Sequence, residues 1–167
     1  EGLEAIRQKP YFARIHFQRE QENEEFLYIG KTSLFHSETQ ETIIVDWRPP
    51  VANVYYDGRL GEITYDVRGE ELTGHLFAKR QYKIENAKLL DYRDVDLTTN
   101  DELLQEALEG KADVRLTEIV STIQKEQNEI IRAHLRQPIL VQGAAGSGKT
   151  TIALHRISYF LYTMGDH

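Results

Sequence analysis

Eight residues near the end of the chain have the types and the spacing of a phosphate-binding loop. Gly143-Ala144-Ala145-Gly146-Ser147-Gly148-Lys149-Thr150 matches the pattern G-x-x-x-x-G-K-T, between the apolar runs 139–141 and 152–161. The glycines let backbone N–H groups face inward at the start of a helix, whose dipole attracts phosphate. Lys149 is expected to reach the β and γ phosphates of a nucleotide, and the Thr150 hydroxyl to bind Mg²⁺. This context favours a nucleotide site over a chance glycine-rich turn.

One amide upstream of the loop narrows the choice of nucleotide. Gln127 lies in a helix-like stretch, where its carboxamide could both donate to and accept from adenine N7 and N6. Taken alone, Gln127 is more simply an exposed residue of an amphipathic helix, but the loop downstream favours adenine recognition. We therefore predict ATP and Mg²⁺ as cofactors and Lys149 as the catalytic residue. The predicted nucleotide-binding residues are Gln127, Gly143, Ala144, Ala145, Gly146, Ser147, Gly148, Lys149, Thr150 and Thr151.

Composition excludes several other classes of protein. A chain of 167 residues, 40% hydrophobic, can form one ordinary domain or two small ones. Its formal charge of -7 disfavours binding of nucleic acid over a broad surface. The absence of cysteine excludes disulfides and thiolate sites, and the six histidines share no ligand spacing, so nucleotide-bound Mg²⁺ is the only metal expected. No segment suits a membrane span or a signal peptide, and we expect a cytoplasmic protein.

Short β-prone runs between turn residues predict an antiparallel sheet or small barrel over residues 10–96. Asp57-Gly58 predicts a hairpin turn, Arg68-Gly69 and Glu85-Asn86 predict further turns, and Pro49-Pro50 predicts a corner. The predicted strands are Tyr11 to Phe17, Phe26 to Ile29, Ile43 to Arg48, Val51 to Tyr56, Glu62 to Val67, Leu72 to Phe77 and Lys79 to Glu85.

Alternation along these strands assigns some tempting side chains to structure instead of binding. Asp46 and Arg48 would face one side of a strand and Trp47 the other, which favours an ion pair at the surface and a buried indole beneath it. Tyr55 and Tyr56 would face opposite sides, so at least one should lie in the core. His155-Arg156, one helical turn beyond the loop, more plausibly fixes helix packing than catalyses.

From Thr99 the periodicity becomes helical. Thr99-Asn100-Asp101-Glu102 forms a capping box for a connector helix, and a second helical stretch over residues 112–135 ends before Pro138. The apolar run Ile139 to Gln142 then predicts a strand that leads into the loop. Because a parallel strand needs neighbours on both sides, we expect strands borrowed from the β module, an oligomer, or a longer parent chain.

Two groups of residues carry a family resemblance. Ile123-Gln124-Lys125-Glu126-Gln127 and the run from Ile139 to Ile157 resemble the Q motif and motif I of superfamily 1 helicases of the UvrD/Rep type. Further upstream, Pro10-Tyr11-Phe12-Ala13-Arg14-Ile15, Tyr28-Ile29-Gly30-Lys31 and Ile44-Val45-Asp46-Trp47-Arg48-Pro49-Pro50 are similar to HelD, the RNA-polymerase-associated helicase-like ATPases of Gram-positive bacteria. The resemblance spans nearly the whole chain.

This resemblance implies an α/β fold overall, an α+β fragment in this chain. Residues 1–9 would end a helical arm, 10–96 form an antiparallel β-rich module, 97–116 a helical connector, and 117–167 the first strand, P-loop and helix of a RecA-like motor domain. The implied function is an ATP-driven or ATP-gated factor that binds RNA polymerase and helps clear it from nucleic acid, with DNA bound by other parts of the motor.

Alternatives to the motor interpretation stay open at this point. The family's acidic magnesium motif lies downstream, so we expect residues 1–167 not to hydrolyse ATP alone. A non-catalytic docking module, for RNA polymerase or for the rest of the motor, is the main alternative. A P-loop kinase would need a phosphoacceptor site and a lid.

Overall fold

The computed structural model describes residues 2–57, 59–67, 69–95, 125–134 and 136–165. The chain divides into two compact units, Glu1–Thr99 and Asn100–His167. The fold is mixed α+β, with the sheet in the first unit. None of the helices in the described ranges combines the length and the apolar character that a membrane span requires.

In its described residues, the first unit contains two helices and one seven-stranded sheet. The sheet has the order β3-β4-β2-β1-β6-β5, and β7 also pairs with β6. The helices are α1 (Gly2–Gln8) and α2 (Pro50–Asp57), and the strands are β1 (Ala13–Arg19), β2 (Glu24–Gly30), β3 (Leu34–Phe35), β4 (Thr42–Asp46), β5 (Gly61–Val67), β6 (Glu70–Glu85) and β7 (Lys88–Asp94).

Strand β1 forms the centre of the core. Its alternate residues Ala13, Ile15 and Phe17 are fully buried on one face, which α2 covers. On its two edges β1 pairs antiparallel with β2 and with β6. Because a strand paired on both edges leaves its backbone groups satisfied, the apolar alternation of β1 is enough to fix which face is buried.

Strand β6 organises the rest of the sheet. Residues 74–76 of β6 pair with both β1 and β5, and Arg80 and Gln81 pair with both β1 and β7. Strands β5 and β7 therefore follow one another along the same edge of β6. The sequence predicted two strands here, Leu72 to Phe77 and Lys79 to Glu85, but one continuous strand covers both. A bulge in the β1–β6 pairing at His16/Phe17 takes up the change of register where the predicted break lay.

The predicted strand Val51 to Tyr56 is wrong, because these residues form helix α2. Pro50 stands at the first helical position, where its missing N–H costs nothing. Ala52 and Tyr55, three positions apart, are both buried against the sheet. The predicted Asp57-Gly58 hairpin is wrong too, since α2 runs to Asp57. The expectation that Tyr55 or Tyr56 lies in the core is confirmed: Tyr55 is 7% exposed, and burial raises the pKa of its hydroxyl.

A buried lysine of β6 closes the C-terminal end of α2. The Lys79 side chain is 1% exposed, and its Nζ donates to the Tyr55 carbonyl at 3.2 Å. The last carbonyls of a helix receive no hydrogen bond from within the helix, so a cation beside them is favourable. Lys79 thereby ties α2 to the strand beneath it.

The turn from β4 into α2 holds the predicted ion pair, but not at the surface. The Asp46 side chain is only 4% exposed, and its Oδ1 accepts from the Arg48 backbone N–H at 2.9 Å and from Arg48 Nε at 2.7 Å. Asp46 ends β4, the strand between β2 and β3, and its own N–H donates to Ser33 Oγ at 3.1 Å. Trp47 is partly buried against the core, as expected for the indole.

The face of the sheet opposite to the core carries a row of rings, which we call the aromatic row: Tyr11, His16, Phe26, Tyr28, Phe77 and Tyr82. His16 stacks on Phe26 at 4.3 Å between ring centroids, and the Arg14 guanidinium lies 4.7 Å from the Phe26 ring. Tyr11 contacts both Tyr28 and Tyr82. Burial, and then these two tyrosines, raise the pKa of Tyr11.

Two other features of the first unit lie beyond the predicted strands. Strands β3 and β7 were not predicted, and β4 pairs in parallel with β2, so the sheet is mixed instead of wholly antiparallel. The predicted turn near Asn86 is confirmed: Asn86 and Ala87 both have positive φ, as a tight hairpin requires. At the edge, a hydrogen bond from Arg80 lowers the pKa of Asp94.

The second unit, in the residues described, contains helix α3 over residues 125–132 and helix α4 (Lys149–Gly165). The predicted strand Ile139 to Gln142 is not formed, because these residues are neither strand nor helix in the structure. A strand is defined by its ladder of hydrogen bonds, and apolar composition alone supplies none. The capping box at 99–102 and the connector helix lie outside the described residues.

Asp46→Asn tests the buried ion pair, because it removes the charge and keeps the shape. We expect the free energy of unfolding to fall by about 2 kcal/mol, since the Arg48 guanidinium then faces an amide. The matched control is Asp91→Asn. Asp91 lies 3.7 Å from Arg93 with its side chain 58% exposed, so we expect a change below about 0.5 kcal/mol. Denaturant unfolding measures both, and equal losses would contradict a special role for Asp46.

Candidate nucleotide site

Each glycine of the loop stands where a side chain would strain the backbone or clash with a neighbour. Gly146 and Gly148 have φ of 81° and 86°, in the left-handed region that side chains disfavour. A Cβ on Gly143 would lie 2.6 Å from Ser147 Oγ. The Ser147 N–H donates to the Ala144 carbonyl at 3.2 Å and closes the turn. The loop therefore has the curved backbone that the G-x-x-x-x-G-K-T pattern predicts.

Lys149 points its ammonium into this curve. Its Nζ donates to the carbonyls of Gly143 at 2.8 Å and Ala144 at 2.6 Å, and lies 3.4 Å from Ser147 Oγ. Helix α4 begins beside it, where the Ile152 N–H donates to the Gly148 carbonyl at 2.9 Å. The N–H groups of residues 149–151 precede that bond and have no acceptor within the helix. A cation and free N–H groups together favour an anion at this end of α4.

Gln127 lies against the loop. Its Nε2 is 3.4 Å from the position that a Cβ on Gly148 would occupy. The predicted base-reading amide and the predicted phosphate loop, distant in sequence, are therefore neighbours. The absence of a side chain at Gly148 leaves room for the Gln127 amide.

One arginine of α4, Arg156, joins this helix to α3 through partners that the sequence did not predict. Arg156 donates through Nη1 to the carbonyls of Ile130, Ile131 and Ala133, at 2.9, 3.1 and 2.9 Å, and through Nη2 to that of His134 at 3.2 Å. The expectation that Arg156 serves helix packing is thus confirmed in kind. The position of Arg156 could have indicated this packing role, because it lies one turn after Ile152, which is 6% exposed on the same face of α4.

The rest of the α3–α4 contact is small. Ile131 is 6% exposed and Asn128 is 3% exposed. The Asn128 Oδ1 accepts from Arg132 Nε at 3.0 Å, and the Arg132 guanidinium lies 5.3 Å from the Tyr159 ring. On its other side α4 exposes apolar side chains, namely Leu154, Ile157, Leu161 and Met164.

The polar groups at the loop fit a nucleoside triphosphate with its metal ion. Thr150 at the start of α4 is exposed and offers one hydroxyl oxygen, the type of ligand that Mg²⁺ prefers. Within the residues described, no group of three or more histidine, aspartate or glutamate side chains is placed to hold a metal ion. Phosphate oxygens would have to supply further ligands, as is usual for Mg²⁺ in such sites.

Comparison with known families places this geometry in context. Residues 1–112 match the family described as DNA helicase IV HelD, N-terminal domain. The chain belongs to the HelD family. Residues 123–165, which include Gln127, the loop and α4, match the UvrD/REP helicase N-terminal domain. No curated protein matches this HelD chain. The two family matches indicate the N-terminal part of a helicase-like motor whose parent is an enzyme.

Gly148→Ala tests the fit of loop and helix in this HelD chain. An L-residue at φ 86° is strained by about 1–2 kcal/mol, and the new Cβ would come into contact with Gln127 at 3.4 Å. We expect the second unit to be less stable, and faster hydrogen exchange in α4 would show this loss of stability. Gly165→Ala is the control, because no atom lies within 4 Å of the Cβ position there. Equal exchange in both variants would contradict the strained geometry.

Proposed function

We propose that this HelD chain binds ATP with Mg²⁺, through Gln127 and residues 143–151, as the nucleotide-binding start of a RecA-like motor domain. The observation that carries the proposal is the position of the Gln127 amide beside the loop, with Nε2 3.4 Å from the place that a Cβ on Gly148 would take. It supports convergence of a base-reading group and a phosphate-binding loop on one site. The match of residues 123–165 to the UvrD/REP helicase family supports the same proposal.

Each part of the site has a separate task in this proposal. The Lys149 ammonium exchanges the carbonyls of Gly143 and Ala144 for phosphate oxygens, which form stronger, charge-assisted hydrogen bonds. It is also the group that stabilises charge on the transferred phosphoryl group, which makes it the catalytic residue. The N–H groups of residues 149–151 hold phosphate oxygens, and Thr150 holds the metal. When bound, Mg²⁺ neutralises phosphate charge.

ATP turnover, in this proposal, belongs to the parent and not to residues 1–167 alone. Hydrolysis also requires an acidic ligand for the metal and a group that orients water. The described part of the second unit brings no acidic cluster to the loop. We propose that other segments of the parent supply these groups, together with the DNA-binding surface, in the cytoplasm.

Lys149→Ala tests the phosphate site. We expect the affinity of the 167-residue chain for ATP with Mg²⁺ to fall at least about tenfold, because a charge-assisted contact to phosphate is lost. Titration calorimetry measures the dissociation constant. Lys88→Ala, an exposed lysine of β7, is the control and should bind like the original chain. Absence of ATP binding by the original chain would refute the proposed function.

A second proposal concerns the first unit. We propose that the aromatic row docks RNA polymerase, the partner that the HelD resemblance implies. Phe26 is 53% exposed beside Arg14, and Tyr92, which pairs with Tyr82 of the row, is 55% exposed under the Arg80 guanidinium. Exposed aromatic and arginine side chains are the types enriched at protein interfaces. The apolar side of α4 would likewise be covered, by the rest of the motor or in an oligomer.

Capture of purified RNA polymerase by the immobilised 167-residue chain tests this docking. We expect the double substitution Phe26→Ala with Tyr92→Ala to weaken capture at least about tenfold, since truncating central aromatic anchors typically costs more than 1 kcal/mol each. Phe35→Ala is the matched control, because Phe35 is also 53% exposed but lies on β3, away from the row. Equal capture by all variants would exclude the aromatic row as the docking surface.

A further inference from the structure

We infer that Arg156 is a positioning residue that determines the nucleobase selectivity of the site, by fixing the helix that carries Gln127. This inference rests on the proposed function, because it concerns the same site. It assigns to a residue outside the phosphate loop and outside the base-reading segment a defined role in choosing adenine.

Arg156 donates hydrogen bonds to four acceptors of one type. Four backbone carbonyls, those of Ile130, Ile131, Ala133 and His134, converge on the two terminal nitrogens of one guanidinium. They lie at the end of α3, where carbonyls lack partners inside the helix. A planar fork with five N–H groups can serve several acceptors at once, which an ammonium cannot do in the same geometry.

Arg156 thereby connects a pair of elements, α3 and α4. Gln127 lies on α3, one helical turn before Ile130 and Ile131. Arg156 lies on α4, two turns after the residues that would hold phosphate, and Ile152 between them is buried. The guanidinium therefore sets the end of the base-reading helix at a fixed place relative to the phosphate-binding helix. The distance between the two binding groups depends on that link.

Losing this link would have an unequal effect on the two binding groups. The curve of the phosphate loop depends on its own glycines and on the Ser147–Ala144 hydrogen bond, neither of which involves Arg156. The place of the Gln127 amide depends instead on the position of α3, the helix that carries it. A displacement of about 1 Å is enough to lose a well-aligned interaction. Loss of Arg156 should therefore reduce discrimination between bases and spare the affinity for phosphate.

The test compares three ligands with the 167-residue chain. Dissociation constants are measured for ATP, GTP and inorganic tripolyphosphate, each with Mg²⁺. We expect Arg156→Gln to bring the ATP:GTP preference of the original chain close to one, with tripolyphosphate affinity changed less than about twofold. Arg136→Gln, an exposed arginine just beyond α3, is the control and should keep the original preference. Arg156→Lys retains the charge without the fork and should be intermediate.

The outcomes separate this inference from the proposed function. If the original chain does not bind ATP, the proposed function fails. If it binds ATP and Arg156→Gln keeps the preference, or loses ATP and tripolyphosphate affinity equally, the positioning role is wrong. A double-mutant cycle adds a second check: in the Gln127→Ala background, Arg156→Gln should not change the ATP:GTP ratio further. An additional change there would also overturn the inference. If Arg156→Gln fails to fold, Arg156→Lys decides: a reduced ATP:GTP preference with unchanged tripolyphosphate affinity supports the positioning role, and the original preference overturns it.

Discussion

The carbonyl groups at the C-terminal ends of two helices are the constraint on which both units depend. The last turn of a helix exposes carbonyls that nothing within it can satisfy. In the first unit Lys79 meets this need for α2, and in the second Arg156 meets it for α3. In each case the cation comes from an element later in the chain. The helix is thereby fixed on the element that supplies the cation, beyond what its few buried side chains would achieve.

The strands were predictable where side chains alternate and the helix α2 was not. The alternation of Ile15 and Phe17 alone predicts β1, and their neighbours Arg14 and His16 lie on the opposite face, where both contact Phe26. Residues 51–56 have strand-forming types, yet they form a helix because the buried face of β1 needs a cover and Pro50 favours a helix start. The burial of Lys79 was equally invisible, since a lysine in a strand is normally exposed.

In the candidate site, too, some features could be predicted from the sequence and others could not. Glycines at 143, 146 and 148 do local tasks that their spacing reveals, so the loop could be predicted from the sequence. The nearness of Gln127 to Gly148 depends on how α3 and α4 pack, and was only inferred from the order of the motifs. The acceptors of Arg156 are backbone carbonyls, which every residue type carries. No sequence pattern could therefore name them, although the position of Arg156 on the buried side of α4 suggested packing.

The pairing of β1 with β6 has a consequence for how the first unit forms. His16 is paired with Ala78, so the centre of the sheet joins segments that are far apart in the chain. Contacts of this kind form slowly, because a long loop must close before they contribute. During synthesis β1 and β2 emerge well before β6, with Ile15 and Phe17 still uncovered. Chaperone binding to the nascent chain would be most useful in that interval.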